Sequence, residues 1–404
     1  MKHLKLTALL LAAALLASCT AAPVAESIAE TTMETTAVTS EATEAETEPA
    51  ETVHEGPYDI SEITTRRGVA WVNDNPDLAA LVRKYKYGYD STGSYLVATD
   101  DDIVVVYNEN RTEVDGVTPV DQYTTYDIAS CSKLFTAVCI FQLVEEGRMS
   151  LDDTLDMYFP EYELGSQITI YNMLHMRSGI ADYVNEPELF WMHDEELPPI
   201  EEIEDPAEFF ELYFPDGFFS GEMTEEEFLE HLYQADLVFE PGSQFAYSNT
   251  NYRLLAFIVE HVTGMRFCDY LQENIFDVCG MDHTTSMIPG DETSLPEDFE
   301  MLQELGVVDE NGHTVMPDFG DGGIHTCTAD LLAFDRALFT GRLVSEESFE
   351  EMNNMIEGYG CGLMPYEGAL GVYHSGGAYT YITMNIIRPS DTFGHVYVIS
   401  MMRA

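Results

Sequence analysis

Hydrophobic and polar positions follow a strand-like pattern at both ends of the folded part of this 404-residue chain and a helix-like pattern between them. Near the beginning, Ser94 to Thr99 and Ile103 to Asn108 are rich in β-branched residues and flank three aspartates, which predicts a β-hairpin. Period-two alternation returns near the end and predicts four more strands, over Gly358 to Pro365, Gly368 to His374, Tyr379 to Arg388 and Phe393 to Met402.

Apolar residues recur at helical spacing between these strands. We expect helices over Pro76 to Tyr87, from near Ser130 to about Glu146, and over Asn251 to Thr263. Strands first, helices in the middle and strands last predict an α+β fold, an α/β sandwich. Its antiparallel sheet is built from the N- and C-terminal strands and flanked by helices, with a mainly helical region inserted at about 150–325, in a folded domain spanning 58–404.

Residues 1–19 are typical of a lipoprotein signal peptide. A short basic start precedes an apolar run, Leu6 to Ala17, which is too short to span a bilayer. The sequence Leu16-Ala17-Ser18-Cys19 resembles a bacterial lipobox, which implies lipidation of Cys19; an ordinary secretory signal with an incidental cysteine is the alternative. We expect the protein on the extracytoplasmic face of a bacterial cell membrane, attached through the lipid anchor only.

Residues 20–57 are rich in Thr and Glu and acidic, which predicts a disordered tether. The whole chain carries 73 acidic and 17 basic residues, a formal net charge of −56. Nucleic-acid binding requires clustered Lys and Arg, so this charge excludes a nucleic-acid partner. A basic membrane-surface patch is excluded for the same reason.

The cysteines and histidines do not form a recognisable metal-binding pattern. Beyond Cys19, six cysteines permit three disulfides, but their wide spacing indicates no framework. CxxC pairs and an HExxH motif are absent from the sequence, so we expect neither a metal nor an organic cofactor.

Three short segments carry candidate chemistry. Ser130 and Lys133 form an S-x-x-K at a predicted helix start, which places an amine one turn from a hydroxyl that it could activate. Tyr247-Ser248-Asn249 precedes a strong helix, and His374-Ser375-Gly376-Gly377 lies on a predicted strand whose glycines allow close backbone approach. In isolation each segment has an ordinary structural interpretation: a cap, a packed tyrosine or a strand-ending turn.

In this order and at these separations, the three segments resemble those of the serine β-lactamase and penicillin-binding protein superfamily, in its class C-like branch. The resemblance runs from about Tyr95 to Ser400 and includes the segments between the motifs: Ile168 to Ile180, Phe239 to Thr263 and Gly322 to Leu331. It implies that Ser130 attacks a carbonyl and becomes acylated, while Lys133 and Tyr247 exchange its proton.

The resemblance also implies how a substrate is held. Asn249 positions the substrate amide, and His374 takes the place of the usual lysine in the K-T-G triplet, beside Gly376. The backbone N–H groups of Ser130 and Gly377 form the oxyanion hole. A neutral His374 grips a substrate carboxylate less firmly than a lysine would.

These features predict a serine hydrolase acting on an ester or amide of the D-amino acid peptide or β-lactam class, with a small-molecule or peptidoglycan-type substrate. A penicillin-binding or sensing lipoprotein that is acylated without efficient turnover is the alternative, and a solute-binding lipoprotein is a third. The long C-terminal helix usual in the family does not follow the last predicted strand, so a protein partner could cover that sheet face.

Several other residues are given structural interpretations. Cys131 beside the nucleophile and His175 are expected in the core, and the glycines of Gly358 to Gly362 are interpreted as strand glycines. Glu186 to Glu230 is rich in carboxylates and aromatic residues, and it is either a packed surface excursion or a lid over the cleft. A lid would favour cationic or neutral substrates over anionic ones.

Overall fold

The computed structural model describes residues 68–72, 92–109, 120–191, 223–286, 319–366, 370–378 and 381–403. The expected signal peptide and tether, the predicted helix over Pro76 to Tyr87 and residues 192–222 of the acidic aromatic segment lie outside the described residues. Among the described residues, no helix is both long enough and apolar enough to cross a membrane.

A seven-stranded antiparallel sheet is the centre of the fold, with strand order β1-β3-β2-β10-β9-β8-β7. The predicted hairpin is confirmed as β2 and β3, and the last three predicted strands are confirmed as β8, β9 and β10, so strands from both chain ends share one sheet. The bounds are β1 Gly68–Val72, β2 Thr92–Thr99, β3 Ile103–Glu109, β7 Met364–Tyr366, β8 Gly371–Ala378, β9 Tyr381–Ser390 and β10 Gly394–Arg403.

The helices pack against one face of this sheet and form most of the inserted region, which confirms the α+β fold. Their bounds are α1 Lys133–Glu145, α2 Ile170–Leu174, α3 Pro187–Phe190, α4 Glu225–Gln234, α5 Asn249–Thr263, α6 Phe267–Leu271, α7 Thr328–Phe339 and α8 Glu346–Met352. After α6 the chain continues through a π-helical turn, Gln272–Phe276, into a last helical turn, Asp277–Cys279.

Helix α1 runs through the middle of the core. Ten of its thirteen residues are buried, so it carries no polar stripe and is enclosed on nearly every side. Phe135 stacks on Phe334 of α7 with ring centroids 3.7 Å apart, and it also meets Phe276 edge-on at 6.1 Å. A helix enclosed in this way holds its first turn rigidly.

A second, three-stranded sheet, with order β4-β6-β5, pairs a strand that precedes the inserted region with two strands from the later part of the chain. Its strands are β4 Tyr126–Asp127, β5 Thr285–Ser286 and β6 Ile324–Thr326. The sequence pattern did not indicate it, because strands of two or three residues are too short to show a period. Through β4 this sheet leads directly to the segment that carries Ser130.

The predicted strand from Gly358 to Pro365 is wrong over most of its length. Only Met364–Tyr366 forms a strand, β7, and the preceding glycines lie in a loop. Gly362 has a φ of 74°, and a Cβ added there would lie 2.8 Å from the backbone of Leu134. This glycine is required by a close contact with the start of α1, and not by a strand.

The six cysteines of the described residues are all unpaired, so the three disulfides that the sequence permits do not form. Cys131, Cys139, Cys327 and Cys361 are buried. They contribute apolar volume to the core in the manner of small hydrophobic residues.

Candidate active site

Ser130 lies in a 3₁₀ turn, Ala129–Ser132, that precedes α1. Ala129 has a φ of 44°, an unusual conformation for an alanine, and its N–H donates a 2.7 Å hydrogen bond to Oδ1 of Asp127. Ile128 N–H donates to the carbonyl of Ile324 on β6 at 3.0 Å. The small sheet therefore fixes the entry to the turn and presents Ser130 at the amino end of α1.

Strand β8 crosses directly against this turn. A Cβ added at Gly376 would lie 2.0 Å from the carbonyl oxygen of Ile128 and 3.2 Å from the nitrogen of Ser130. Only glycine permits such an approach. Cys131 Sγ also donates to the carbonyl of His374 at 3.4 Å, so β8 contacts the turn at both His374 and Gly376.

Lys133 occupies the centre of the site and is completely buried. Its Nζ donates to Ser130 Oγ at 3.1 Å, to Asn249 Oδ1 at 2.7 Å and to the backbone carbonyl of Asp321 at 2.7 Å. A lysine ammonium has three hydrogens to donate, and these three acceptors use them all. Nζ also lies 5.0 Å from the ring centroid of Tyr247, which is half-buried.

Asn249 links Lys133 to a buried carboxylate that sequence reasoning missed. Its Nδ2 donates to both oxygens of Asp182, at 3.2 and 3.0 Å, while its Oδ1 accepts from Lys133. Burial raises the pKa of Asp182, and hydrogen bonds from Val184, Asn185 and Asn249 oppose that rise. The role of Asn249 in positioning a substrate amide stays a prediction; its observed contacts orient Lys133.

Asp321 was also missed. Its carbonyl accepts from Lys133, and its carboxylate accepts a 2.7 Å hydrogen bond from the hydroxyl of Tyr183. Asp182 and Tyr183 are adjacent, so one short loop supports Lys133 in two ways. Asp182 accepts hydrogen bonds from Asn249, and Tyr183 donates one to Asp321. Asp182 and Asp321 both lie within Tyr95 to Ser400, where the sequence resembles the family, but neither belongs to the three motif segments that were assigned roles.

His374 lies on β8 with 3% of its surface exposed. Its Nδ1 lies 2.7 Å from the carbonyl oxygen of Ser375, and its Nε2 lies 3.2 Å from the hydroxyl of Tyr359. Burial, with the nearby charge of Lys133, lowers the pKa of His374 to about 3. The ring is therefore neutral at physiological pH, and both of its nitrogens are already hydrogen-bonded; a direct grip on substrate stays a prediction.

The proposed oxyanion donors lie where the turn and β8 meet. Gly377 follows the close contact at Gly376 and is exposed, so its backbone is open to a ligand. Ser130 is partly exposed on the other side of the same contact. This places the two backbone segments side by side, as an oxyanion hole requires.

Cys131 and His175 are both core residues, as expected. Burial raises the pKa of the Cys131 thiol and lowers the pKa of His175. The Cys131 thiol is not poised as a nucleophile, since a thiol whose pKa is raised stays protonated. In the described part of Glu186 to Glu230, Phe190, Trp191 and Phe228 pack together, with ring centroids 4.5 to 5.6 Å apart.

One group of metal-binding residue types lies beside the small sheet. Ligand atoms of His283, Cys327 and Asp330 lie within 4.8 Å of one another. Cys327 Sγ already accepts the N–H of Asp330 at the start of α7, and the Asp330 carboxylate accepts from His283 N and Thr284 Oγ1. We therefore interpret the group as the cap of α7.

The sequence profile of the β-lactamase family matches residues 78–402, which is most of the chain. The chain therefore belongs to the β-lactamase family. With a serine, a lysine and a tyrosine brought together at the amino end of a buried helix, it is a serine hydrolase of that family.

Two curated relatives and a solved structure illustrate the range of the family. Penicillin-binding protein 4* of Bacillus subtilis (strain 168) is 27% identical over 342 residues, which covers 78% of this chain and 69% of the relative. A D-aminopeptidase of Brucella anthropi is 26% identical over 277 residues, 65% of this chain and 45% of the relative. A penicillin-binding protein structure from Bacillus halodurans aligns with a TM-score of 0.59 at 23% identity, over 80% of this chain and 94% of that one.

Proposed function

We propose that this protein is an exported, lipid-anchored hydrolase that cleaves an amide or ester of a D-amino acid compound through an acyl-enzyme on Ser130. The observation that carries the proposal is the 3.1 Å contact between Lys133 Nζ and Ser130 Oγ, inside a network that fixes both groups. The D-aminopeptidase among its relatives supports a D-configured substrate.

The geometry supports a division of labour in the proton transfer. Lys133 donates to three acceptors and so is held as an ammonium, which cannot accept the proton of Ser130 in that state. Tyr247, whose ring lies over the same ammonium, can act as a phenolate that the positive charge stabilises. Ser130 Oγ then attacks the carbonyl as its proton moves to Tyr247, which passes it to the leaving group.

The tetrahedral intermediate carries its negative charge on the former carbonyl oxygen. Backbone N–H groups of Ser130 and Gly377 would bind that oxygen, and loss of one such donor typically costs about 100- to 1000-fold in turnover. Collapse of the intermediate expels the amine or alcohol. Water then attacks the acyl-enzyme and gives a proton to the Tyr247 phenolate, which passes it to Ser130 Oγ as the bond from Oγ to the acyl carbon breaks and the acid is released.

A substrate panel tests the proposal. The purified protein is assayed against matched D- and L-amino acid amides, p-nitrophenyl esters and nitrocefin, and we expect turnover with the D-amides and esters. The Ser130→Ala variant is expected to be inactive, whereas Ser345→Ala, at the exposed cap of α8, is expected to be as active as the wild type. Equal hydrolysis by Ser130→Ala would contradict the proposal.

The alternative, a sensor that is acylated without turnover, makes a different kinetic prediction. A sensor releases one equivalent of leaving group per protein and stops, whereas an enzyme continues after the burst. Continued release with a D-amino acid ester therefore supports the enzyme, and a single equivalent supports the sensor.

The lipid anchor is part of the proposal and has its own test. Cells expressing the full chain are fed a labelled fatty acid. We expect the wild-type protein to carry the label and to be found in the membrane fraction. Cys19→Ser is expected to lose the label. An unchanged label in this variant would mean that Cys19 is not the lipidated residue.

A further inference from the structure

The loop between α8 and β7 contacts both the start of α1 and His374 of β8. Gly358 to Gly362, here called the glycine loop, contacts the start of α1 through Gly362 and the end of α8 through Gly360, where an added Cβ would lie 2.6 Å from the carbonyl of Met352. Glycines at these positions let the backbone pack against two helices. The loop thus holds its one large side chain, Tyr359, in a fixed place.

Tyr359 is completely buried between aromatic rings of the site. Its ring centroid lies 6.0 Å from that of Tyr247 and 5.9 Å from that of Phe245. Its hydroxyl lies 3.2 Å from Nε2 of His374. Sequence reasoning treated the glycine loop as part of a strand and so gave Tyr359 no role.

The direction of this hydrogen bond follows from the other side of the imidazole ring. His374 Nδ1 lies 2.7 Å from a backbone carbonyl, which can only accept, so Nδ1 carries the hydrogen. A neutral imidazole has one N–H, so Nε2 is an acceptor and the Tyr359 hydroxyl donates to it. This assignment leaves His374 without a hydrogen to offer a substrate.

The surroundings of His374 favour a neutral ring. Lys133 is the nearby cation and opposes a second positive charge, while the neutral Cys131 thiol donates to the His374 carbonyl. On the neighbouring strand β9, Asn385 is the residue paired with His374. Asn385 carries no charge and its Nδ2 is directed to Asp335, so this side supplies no anion to stabilise an imidazolium.

We propose that Tyr359 is a specificity-determining positioning residue that holds His374 as a neutral hydrogen-bond acceptor. The site then selects substrates without a free carboxylate beside the scissile bond, because His374 can neither pair with a carboxylate as a cation nor donate a hydrogen bond to it. This preference for amides and esters of D-amino acids over free C-terminal acids rests on the function proposed above.

The tautomer can be measured without any assay of activity. In ¹⁵N-histidine-labelled protein, we expect His374, assigned with His374→Gln, to show a protonated Nδ1, an unprotonated Nε2 and no titration between pH 5 and 8. Tyr359→Phe removes the donor to Nε2 while the Ser375 carbonyl still accepts from Nδ1. We therefore expect the variant to keep the Nδ1–H tautomer when neutral and to take up a proton at Nε2 within this pH range. A wild-type His374 that is protonated at Nε2 overturns the inference.

Selectivity is measured with D-Ala-D-Ala and its C-terminal amide, which differ only in the carboxylate. We expect the wild type to favour the amide by at least about tenfold in kcat/KM, because a carboxylate placed beside a ring that cannot donate to it loses hydrogen bonds to water without replacement. In Tyr359→Phe the ratio of kcat/KM for the amide to kcat/KM for the acid is expected to fall by about tenfold, because the KM for the acid becomes lower. In His374→Lys, which restores a cation, the acid is expected to become the better substrate.

Tyr270→Phe is the matched control. It removes a hydroxyl that meets Gln142 at 3.3 Å, nine residues or about 13 Å along α1 from Lys133. The amide-to-acid ratio of kcat/KM in Tyr270→Phe is expected to equal that of the wild type. An unchanged ratio in folded Tyr359→Phe overturns the inference. If the wild type cleaves neither peptide and no related amide or ester, the proposed function fails, and the histidine tautomer still decides the role of Tyr359.

Discussion

Lys133 and Asp335 are both fully buried ionisable side chains, yet the protein treats them in opposite ways. Lys133 is surrounded by three acceptors that come from three separate parts of the chain. Asp335, on α7, accepts one 2.9 Å hydrogen bond from Asn385, and its Oδ2 has no partner among the described residues. Burying a charge is costly unless its hydrogen bonds are satisfied.

The number of hydrogen-bond partners decides whether each of these two buried side chains can be charged. Asp335 meets too few donors, and burial raises its pKa to about 8, so it is largely protonated at neutral pH. Lys133 has every hydrogen satisfied and can stay charged beside Ser130. A complete set of acceptors around one buried cation therefore distinguishes the functional site from an ordinary buried carboxyl group.

The largest expected effect comes from removing the charge at the centre of the network. Lys133→Ala is expected to lower kcat/KM for a D-amino acid ester by several orders of magnitude, because both the orientation of Ser130 and the stabilisation of the Tyr247 phenolate are lost. Steady-state kinetics measure the loss, and near-UV circular dichroism checks the fold. Activity within tenfold of the wild type would mean that the network is structural.

The second expected effect concerns the pair of proton-transfer groups. Tyr247→Phe alone is expected to cost orders of magnitude, and Lys133→Ala with Tyr247→Phe little more than the worse single variant, because residues that act as one unit are strongly non-additive. The double-mutant cycle uses kcat/KM for one ester throughout. Losses that simply multiply would show that the two residues act independently.

A smaller effect is expected when one of the three acceptors is removed. Asn249→Ala leaves Lys133 without Oδ1 and Asp182 without its Nδ2 donor, and we expect a fall of about 10- to 100-fold in kcat/KM, as a lost hydrogen bond to a charged group implies. Asn251→Ala is the matched control, because its amide oxygen accepts from Ser178 and not from Lys133. Equal losses in the two variants would contradict the special role of Asn249.

The smallest effect is expected at Asp335 and appears in stability. Its pKa is raised from 3.8 to about 8 in the folded state, so its contribution to stability is present at low pH and is lost as the pH rises from about 4 to 8. Asp335→Asn cannot titrate, so its melting temperature relative to the wild type is expected to rise by several degrees over this range. A difference that is constant with pH would show that Asp335 does not titrate as described.

The sequence predicted five of the seven strands of the large sheet, β2, β3, β8, β9 and β10, because they are long enough to show alternation; it did not indicate β1, and it misplaced most of β7. It also indicated Ser130, Lys133, Tyr247, Asn249 and His374, which the structure brings together from three distant segments. Spacing alone could not reveal Asp182, Asp321 or Tyr359, since each acts through a tertiary hydrogen bond. The glycine loop was misinterpreted because glycines that permit helix contact look the same in sequence as glycines in a strand.

The central position of β10 has a consequence for how the protein matures. Gly394–Arg403 lies between β2 and β9, so the sheet lacks its middle until these late residues have been synthesised. The site is equally non-local: Lys133 and Asp321 are 188 residues apart, and Cys131 and His374 are 243 apart. Such high contact order makes folding slow and cooperative, so catalytic competence is expected to appear in one late step, with no active fragment before it.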